Sequence, residues 1–161
     1  MKELLDKISS YNIFNYLFPG VVFSILISNF SDLKITFDNL FIGAFAYYFI
    51  GMVVSRFGSI IVEPLLKWIK LVKFSDYKDF IEASAKDSKI ELLSEINNMY
   101  RTLVSMFILF LLTLGFLKLA DLWKFLENIQ GVICLLLLAI LFIFSYKKQT
   151  NYITKRIKNI K

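Results

Sequence analysis

The chain has 161 residues, of which 57% are hydrophobic and 17% aromatic, and its mean hydropathy is +0.62. A soluble domain of this size carries a smaller apolar fraction, so these values indicate a membrane protein. The net charge is +6, histidine is absent, and the single cysteine is Cys134. One cysteine excludes an internal disulfide, and the lack of histidine removes the commonest metal ligand, so we expect no cofactor and no metal site.

Four apolar runs are long enough to cross a bilayer as helices, for which about 20 residues at ~1.5 Å each are needed. The sequence therefore predicts an all-α, polytopic membrane protein with four transmembrane helices and helical cytoplasmic extensions. No small-residue cleavage site follows the first run, so we expect that run to be retained rather than removed as a signal peptide. The four predicted spans are Ile13–Asn29, Leu40–Arg56, Thr102–Leu119 and Ile129–Tyr146.

The basic residues are distributed unequally between the two sides of these spans. Of the 19 Lys and Arg residues, two precede span one, eight lie between spans two and three, and six follow span four, which leaves Lys34, Lys118 and Lys124 for the other side. The positive-inside rule then places both termini and the middle segment in the cytoplasm. The predicted regions are two spans with a kinked entry (1–56), a cytoplasmic helical linker (57–101), two further spans (102–146) and a basic cytoplasmic tail (147–161).

The first span opens with YNIFNYLFPG, residues 11–20, in which two asparagines and a Pro-Gly pair lie among aromatic side chains. Pro19 has no N–H to donate, so the carbonyl of Asn15 loses its helical partner and a kink is expected. Alternating steps of three and four residues place Asn12, Asn15 and Asn29 on one stripe. An amide facing lipid is costly, so this stripe is expected to face protein or water, either as hydrogen bonds between helices or as a polar stripe lining a pore.

Span two carries small residues at four-residue intervals, Gly51, Ser55 and Ser59. A ridge of this kind lets a second helix approach closely, so it predicts a helix-packing face without naming the partner. Together with an isoleucine stripe in the tail, the ridge favours a homo-oligomer.

Basic residues alternate with apolar residues in two cytoplasmic segments. In PLLKWIKLVKF, which begins at Pro64, three lysines recur every three residues and predict an amphipathic helix in the headgroup plane. The basic tail with its isoleucine stripe predicts either a helix in a bundle or a helix on the inner leaflet. Both segments are interpreted as sites for anionic lipid or for a phosphate-bearing ligand. Their basic residues are Lys67, Lys70, Lys73, Lys147, Lys148, Lys155, Arg156 and Lys158.

The sequence does not predict an enzyme. It has no nucleophile beside a base, no cluster of metal ligands, no glycine-rich phosphate loop and no carboxylate inside the predicted spans. The acidic residues Asp76 and Asp79 are interpreted as part of a solvated helix face with local ion pairs.

The four-span chain begins with YNIFNYLFPG, has a charged linker that ends in INNMYRT, and finishes with a basic tail. This arrangement resembles small bacterial membrane proteins encoded in anti-phage defence loci. The chain is similar to membrane effectors of the Hailong type and, less closely, to the membrane subunit of Kiwa. The resemblance covers the architecture of the whole chain. It implies an oligomeric inner-membrane channel or membrane-disrupting effector, controlled by the nucleotide product of a partner enzyme or by a partner protein.

Two functions are therefore expected as alternatives. The first is a homo-oligomeric pore in the bacterial cytoplasmic (inner) membrane that depolarises the cell and is gated from the cytoplasm by an oligonucleotide or cyclic nucleotide. The second is a non-conducting membrane anchor or sensor that docks a cytosolic partner protein through the linker. Membrane lipid is a partner in both.

Overall fold

The computed structural model describes residues 12–160, apart from the side chains of Lys124 and Ile160. Lys2, Lys7 and Lys161, which contribute to the predicted charge distribution, lie outside the described residues. The described part of the chain is all-α, and four of its five helices are long and apolar enough to cross a membrane, which confirms the predicted fold class. The helices are α1 (Ile13–Phe30), α2 (Leu40–Trp68), α3 (Tyr77–Lys86), α4 (Lys89–Leu122) and α5 (Lys124–Ile160).

Both prolines follow a π-helical turn within a membrane-spanning helix. In α1 the turn is Ile13–Leu17 and precedes Pro19, and in α2 the turn is Gly58–Val62 and precedes Pro64. The N–H that follows each turn bonds to the carbonyl five residues earlier. A proline donates no N–H, and its ring crowds the carbonyl four residues before it, so the wider turn allows the helix to continue through the proline.

The core lies where α1, α2 and α4 cross. Its buried apolar residues come from all three helices and are Phe23, Ile27, Val54 and Met106. Apolar side chains on the outer faces of these helices are exposed, as expected for a protein whose surroundings are lipid. The membrane-spanning part is therefore held together by a small apolar centre and by the polar contacts described below.

Two glycines set the close approach of α1 and α2. Gly20 faces the Tyr47 carbonyl, and Gly51 faces the Tyr16 carbonyl. A Cβ at either glycine would overlap that backbone oxygen. Any larger residue here would force the two helices apart.

The least buried of the four long helices is α5. It packs on α2 through Phe49 and Phe142, whose ring centroids lie 6.0 Å apart, and through Lys148 further along. Apolar side chains such as Leu135 and Ile143 remain exposed. We call the end of the helices that holds Lys148 the basic end, because the basic tail of α5 continues from it.

The region boundaries drawn from the sequence fall inside continuous helices. The boundary at 56 lies within α2, the boundary at 101 within α4, and the boundary at 146 within α5. The linker therefore consists of the end of α2, the short α3 and the first part of α4. At the basic end α2, α4 and α5 each extend beyond the spans predicted from the sequence.

The amphipathic helix predicted from Pro64 onward requires correction. α2 ends at Trp68, and Lys70 adopts a left-handed conformation with φ 60°. Two backbone hydrogen bonds of the Schellman type close this helix end, and residues 72–76 have no helical structure. Lys67, Lys70 and Lys73 therefore do not share a helix face.

Candidate functional site

A buried carboxylate lies where α2, α4 and α5 meet at the basic end. Glu63 is 6% exposed and is surrounded by three cations. Its Oε1 lies 3.0 Å from Lys67 Nζ and 3.5 Å from Lys148 Nζ, and its Oε2 lies 2.8 Å from Arg101 Nη1. We call these four residues the Glu63 cluster. Because its cations come from three helices, the cluster links α2, α4 and α5.

Lys148 makes a second contact that follows from the π turn of α2. Its Nζ donates to the Ser59 carbonyl at 2.6 Å and lies 2.8 Å from Ser59 Oγ. In the spacing of a π turn, the Ser59 carbonyl would accept from the residue five positions later, which is Pro64. Proline has no N–H, so Lys148 satisfies a carbonyl that the helix itself leaves open.

The charges of the Glu63 cluster do not cancel. Three cations surround one carboxylate, which leaves a net charge of +2. The side chains of Lys67, Lys148 and Arg101 are 43%, 26% and 17% exposed, so the cations are only partly hydrated. Arg101 Nε is buried and has no hydrogen-bond partner among the described residues. An additional anion would be favoured here, since partly buried charges are costly unless they are paired.

A second polar cluster lies deeper in the bundle and joins α1, α2 and α4. Asn15 Nδ2 donates to Ser55 Oγ at 3.3 Å, and Thr102 Oγ1 lies 2.8 Å from Asn15 Oδ1. The Thr102 hydroxyl is also within reach of Ser55 Oγ and of the Asn98 carbonyl, and with one proton it donates to one acceptor at a time. All three side chains are buried, so this cluster holds helices together and does not line an open surface.

The single stripe predicted for the asparagines of α1 requires correction. Asn15 is buried, Asn12 is partly buried and Asn29 is exposed. The π turn adds a residue to the first turn and rotates the rest of α1, so its buried face runs through Phe23 and Ile27 instead of reaching Asn29.

The small residues predicted as a packing face are all buried, and each meets a different part of the protein. Gly51 contacts α1, Ser55 bonds to α1 and α4, and Ser59 accepts from Lys148 of α5. The structure thus accounts for this ridge within one chain.

The structure brings together only part of the predicted basic set. Lys67 and Lys148 share Glu63, and Lys67 also lies 4.0 Å from the centroid of the Phe74 ring. The remaining predicted basic residues are exposed and lie outside the cluster. They are Lys70, Lys73, Lys147, Lys155, Arg156 and Lys158.

Sequence reasoning missed Glu63, because the second span was predicted to end at Arg56. A signal was present: Glu63 follows an apolar run that extends α2, and it lies four residues before Lys67, a spacing at which the two residues share a helix face. The sequence indicates only a positive charge for Arg101, and the role of Thr102 depends on helix packing that sequence spacing does not give.

Within residues 12–160, no group of three or more His, Cys, Asp or Glu residues lies together as a metal site would require. Comparison with known protein families gives no match, and searches of curated proteins and of solved structures give no significant similarity. The resemblance to anti-phage membrane effectors therefore stays a prediction. The described part of the chain has the architecture of a multi-pass membrane protein. Its Glu63 cluster is polar and net positive and lies where three long helices meet.

Proposed function

We propose that the protein is a membrane effector of anti-phage defence that acts as a homo-oligomer in a bacterial inner membrane, with both termini in the cytoplasm. An anionic ligand, either an oligonucleotide or a cyclic nucleotide, binds the basic tail of α5. Binding draws α5 away from the Glu63 cluster and opens a path for ions, which depolarises the cell.

The observation that carries this proposal is the position of Lys148. It lies where the membrane-spanning part of α5 becomes the basic tail, and it connects α5 to Glu63 and to the Ser59 carbonyl. α5 is otherwise the least buried long helix, so its movement would expose little buried surface. A polyanion on the tail would attract Lys148 away from Glu63, because both compete for the same ammonium group.

Support for an oligomer comes from the tail. Ile153 and Ile157 are each 53% exposed and lie on one side of α5. A helix with so many basic residues has no need of an apolar stripe unless the stripe is covered by another chain or by lipid. The ridge at Gly51 no longer supports an oligomer, since its contacts lie within one chain.

The pore in this proposal is formed between chains. The Asn15 side chain is hydrogen-bonded to Ser55 and Thr102, so it does not line a channel within one chain. Four helices also enclose too little space for a useful channel alone. The wall would be built from the exposed faces of several copies, and movement of α5 would change how those faces meet.

The alternative function, a non-conducting anchor or sensor, is favoured by a different observation. The polar side chains of the core bond to one another and leave apolar side chains on the outer faces of the spans. Such a surface suits lipid better than water. In this function a cytosolic partner protein docks through the linker, and no ions cross.

The test combines ligand binding with membrane potential. Lys155, Arg156 and Lys158 are changed together to Gln, and binding of cyclic dinucleotides and short oligonucleotides by the purified protein is measured at several salt concentrations. We expect weaker binding and a smaller dependence on salt, since fewer counterions are released. Cells expressing this variant should depolarise less. If binding and depolarisation are both unchanged, the anchor function replaces the proposed one.

A further inference from the structure

A shallow groove of about 280 Å³ opens beside the Glu63 cluster, between the π turn of α2 and α5. Ile60, Pro64 and Phe144 give it an apolar lining. Lys147 and Asn151 line the same groove and are exposed. Its volume is near the lower end of the ~300–1,000 Å³ typical of ligand sites, and is enough for a small polar group and part of an apolar chain.

The groove combines positive charge with an open side. Within residues 12–160 the structure records no ion pair for Lys147, whereas Lys148, which also lines the groove, is held by Glu63 and Ser59. Lys147 therefore adds a free cation beside a cluster that already has a net charge of +2. An anion in the groove would bind Lys147 directly and would also be attracted by the excess charge of the cluster.

From this geometry we infer a binding site for an anionic phospholipid. The headgroup phosphate accepts hydrogen bonds from Lys147 and Asn151, and the first part of an acyl chain lies along Ile60 and Phe144. Both walls belong to candidate membrane spans, Leu40–Trp68 and Phe125–Asn159. Basic pockets between transmembrane helices are typical sites for anionic headgroups.

The apolar lining favours a lipid over a free phosphate. Phe144 and Pro64 are exposed, so a soluble phosphate would make no contact with them, whereas an acyl chain packs against both. This inference goes beyond the proposed function and does not depend on ion conduction or on a nucleotide ligand. A bound lipid would lie between α2 and α5, next to the contacts of Lys148 with Ser59 and Glu63.

The experiment titrates the delipidated, detergent-purified full chain with dioleoylphosphatidylglycerol and counts bound lipids by native mass spectrometry. Lys147→Gln should weaken binding by about tenfold, since one charge-assisted phosphate contact commonly contributes that much. Lys86→Gln is the matched control, because Lys86 is also exposed in the linker but lies outside the groove and outside the predicted basic set. Lys86→Gln should change the affinity by less than twofold. Phe144→Ala should weaken lipid binding while leaving Lys147 in place.

Two further probes identify the source of the phosphate. Dioleoylphosphatidylcholine has the same chains without net negative charge and should bind at least tenfold more weakly. Glycerol phosphate has the phosphate without the chains and should not displace the lipid. The inference is overturned if Lys147→Gln and Lys86→Gln weaken binding equally, if phosphatidylcholine binds as well, or if glycerol phosphate competes in a Lys147-dependent way.

Discussion

At the residue scale, Glu63 is central because its ion pairs connect three of the long helices. A buried carboxylate is tolerated only when it is paired, and here three cations satisfy its two oxygens. Removal of the carboxylate would leave those cations facing one another without a counter-charge. Their repulsion would act where α2, α4 and α5 meet at the basic end.

We predict that Glu63→Gln lowers the free energy of unfolding by about 2 kcal/mol, less than the ~3–5 kcal/mol of a fully buried pair, because Lys67 is 43% exposed. Titration with a denaturing detergent in mixed micelles measures this value. Glu82→Gln is the control, since the Lys78–Glu82 pair at 3.8 Å is exposed and should contribute less than about 1 kcal/mol. Equal effects of the two substitutions would contradict the role given to Glu63.

A second residue-scale prediction separates the asparagines of α1. Asn15→Leu removes the hydrogen bonds to Ser55 and Thr102 and should lower the free energy of unfolding by about 1 kcal/mol, typical of such bonds between membrane helices. Asn29→Leu, at an exposed position, should change it by less than about 0.5 kcal/mol. The same detergent titration applies, and a larger effect at Asn29 would show that the buried cluster is misplaced.

At the element scale, the geometry of α2 depends on its glycine and proline residues. Gly51 allows the backbone of α1 to approach, and Pro64 with its π turn directs an open carbonyl toward Lys148. These local features place both polar clusters at helix contacts. They also explain why α5 binds α2 at the basic end although it is exposed elsewhere.

We predict opposite effects of the same substitution at two glycines. Gly51→Ala should lower the free energy of unfolding by about 1–3 kcal/mol, because the new Cβ overlaps the Tyr16 carbonyl. Gly115→Ala has open space around the new Cβ and should raise it by about 0.5–1 kcal/mol through helix propensity. Thermal unfolding of the two variants in one detergent gives the comparison. A stabilising Gly51→Ala would contradict the close α1–α2 crossing.

The long apolar elements could be predicted from the sequence, because hydrophobic runs of this length form helices in lipid wherever they pack. The course of α1 and α2 through their prolines could not, since a π turn changes the register of every later residue. That change of register explains why Asn29 does not lie on the predicted stripe. The Glu63 cluster could not be predicted either, because Glu63 is 38 positions from Arg101 on α4 and 85 positions from Lys148 on α5. Only the packing of helices brings them together.

At the scale of the whole molecule, orientation in the membrane decides what the basic end can meet. The uneven distribution of Lys and Arg predicts that this end lies in the cytoplasm. We predict that reporter fusions after Lys86 and at the C-terminus give a cytoplasmic signal, whereas fusions near Asp38 and Trp123 give a periplasmic signal. A periplasmic C-terminus would separate the tail from any cytoplasmic ligand and would contradict the proposed function.

The central claim is that release of α5 from the Glu63 cluster opens a path for ions. Ion flux through the purified protein tests this claim most directly. Lys148→Gln removes the charge that joins α5 to Glu63, so proteoliposomes that carry this variant should release potassium faster than wild-type proteoliposomes without any ligand. Lys86→Gln, which changes an exposed lysine of α3, should behave as wild type. If Lys148→Gln proteoliposomes retain potassium as well as empty vesicles do, while the variant remains folded, release of α5 does not open a path for ions and the effector account is wrong.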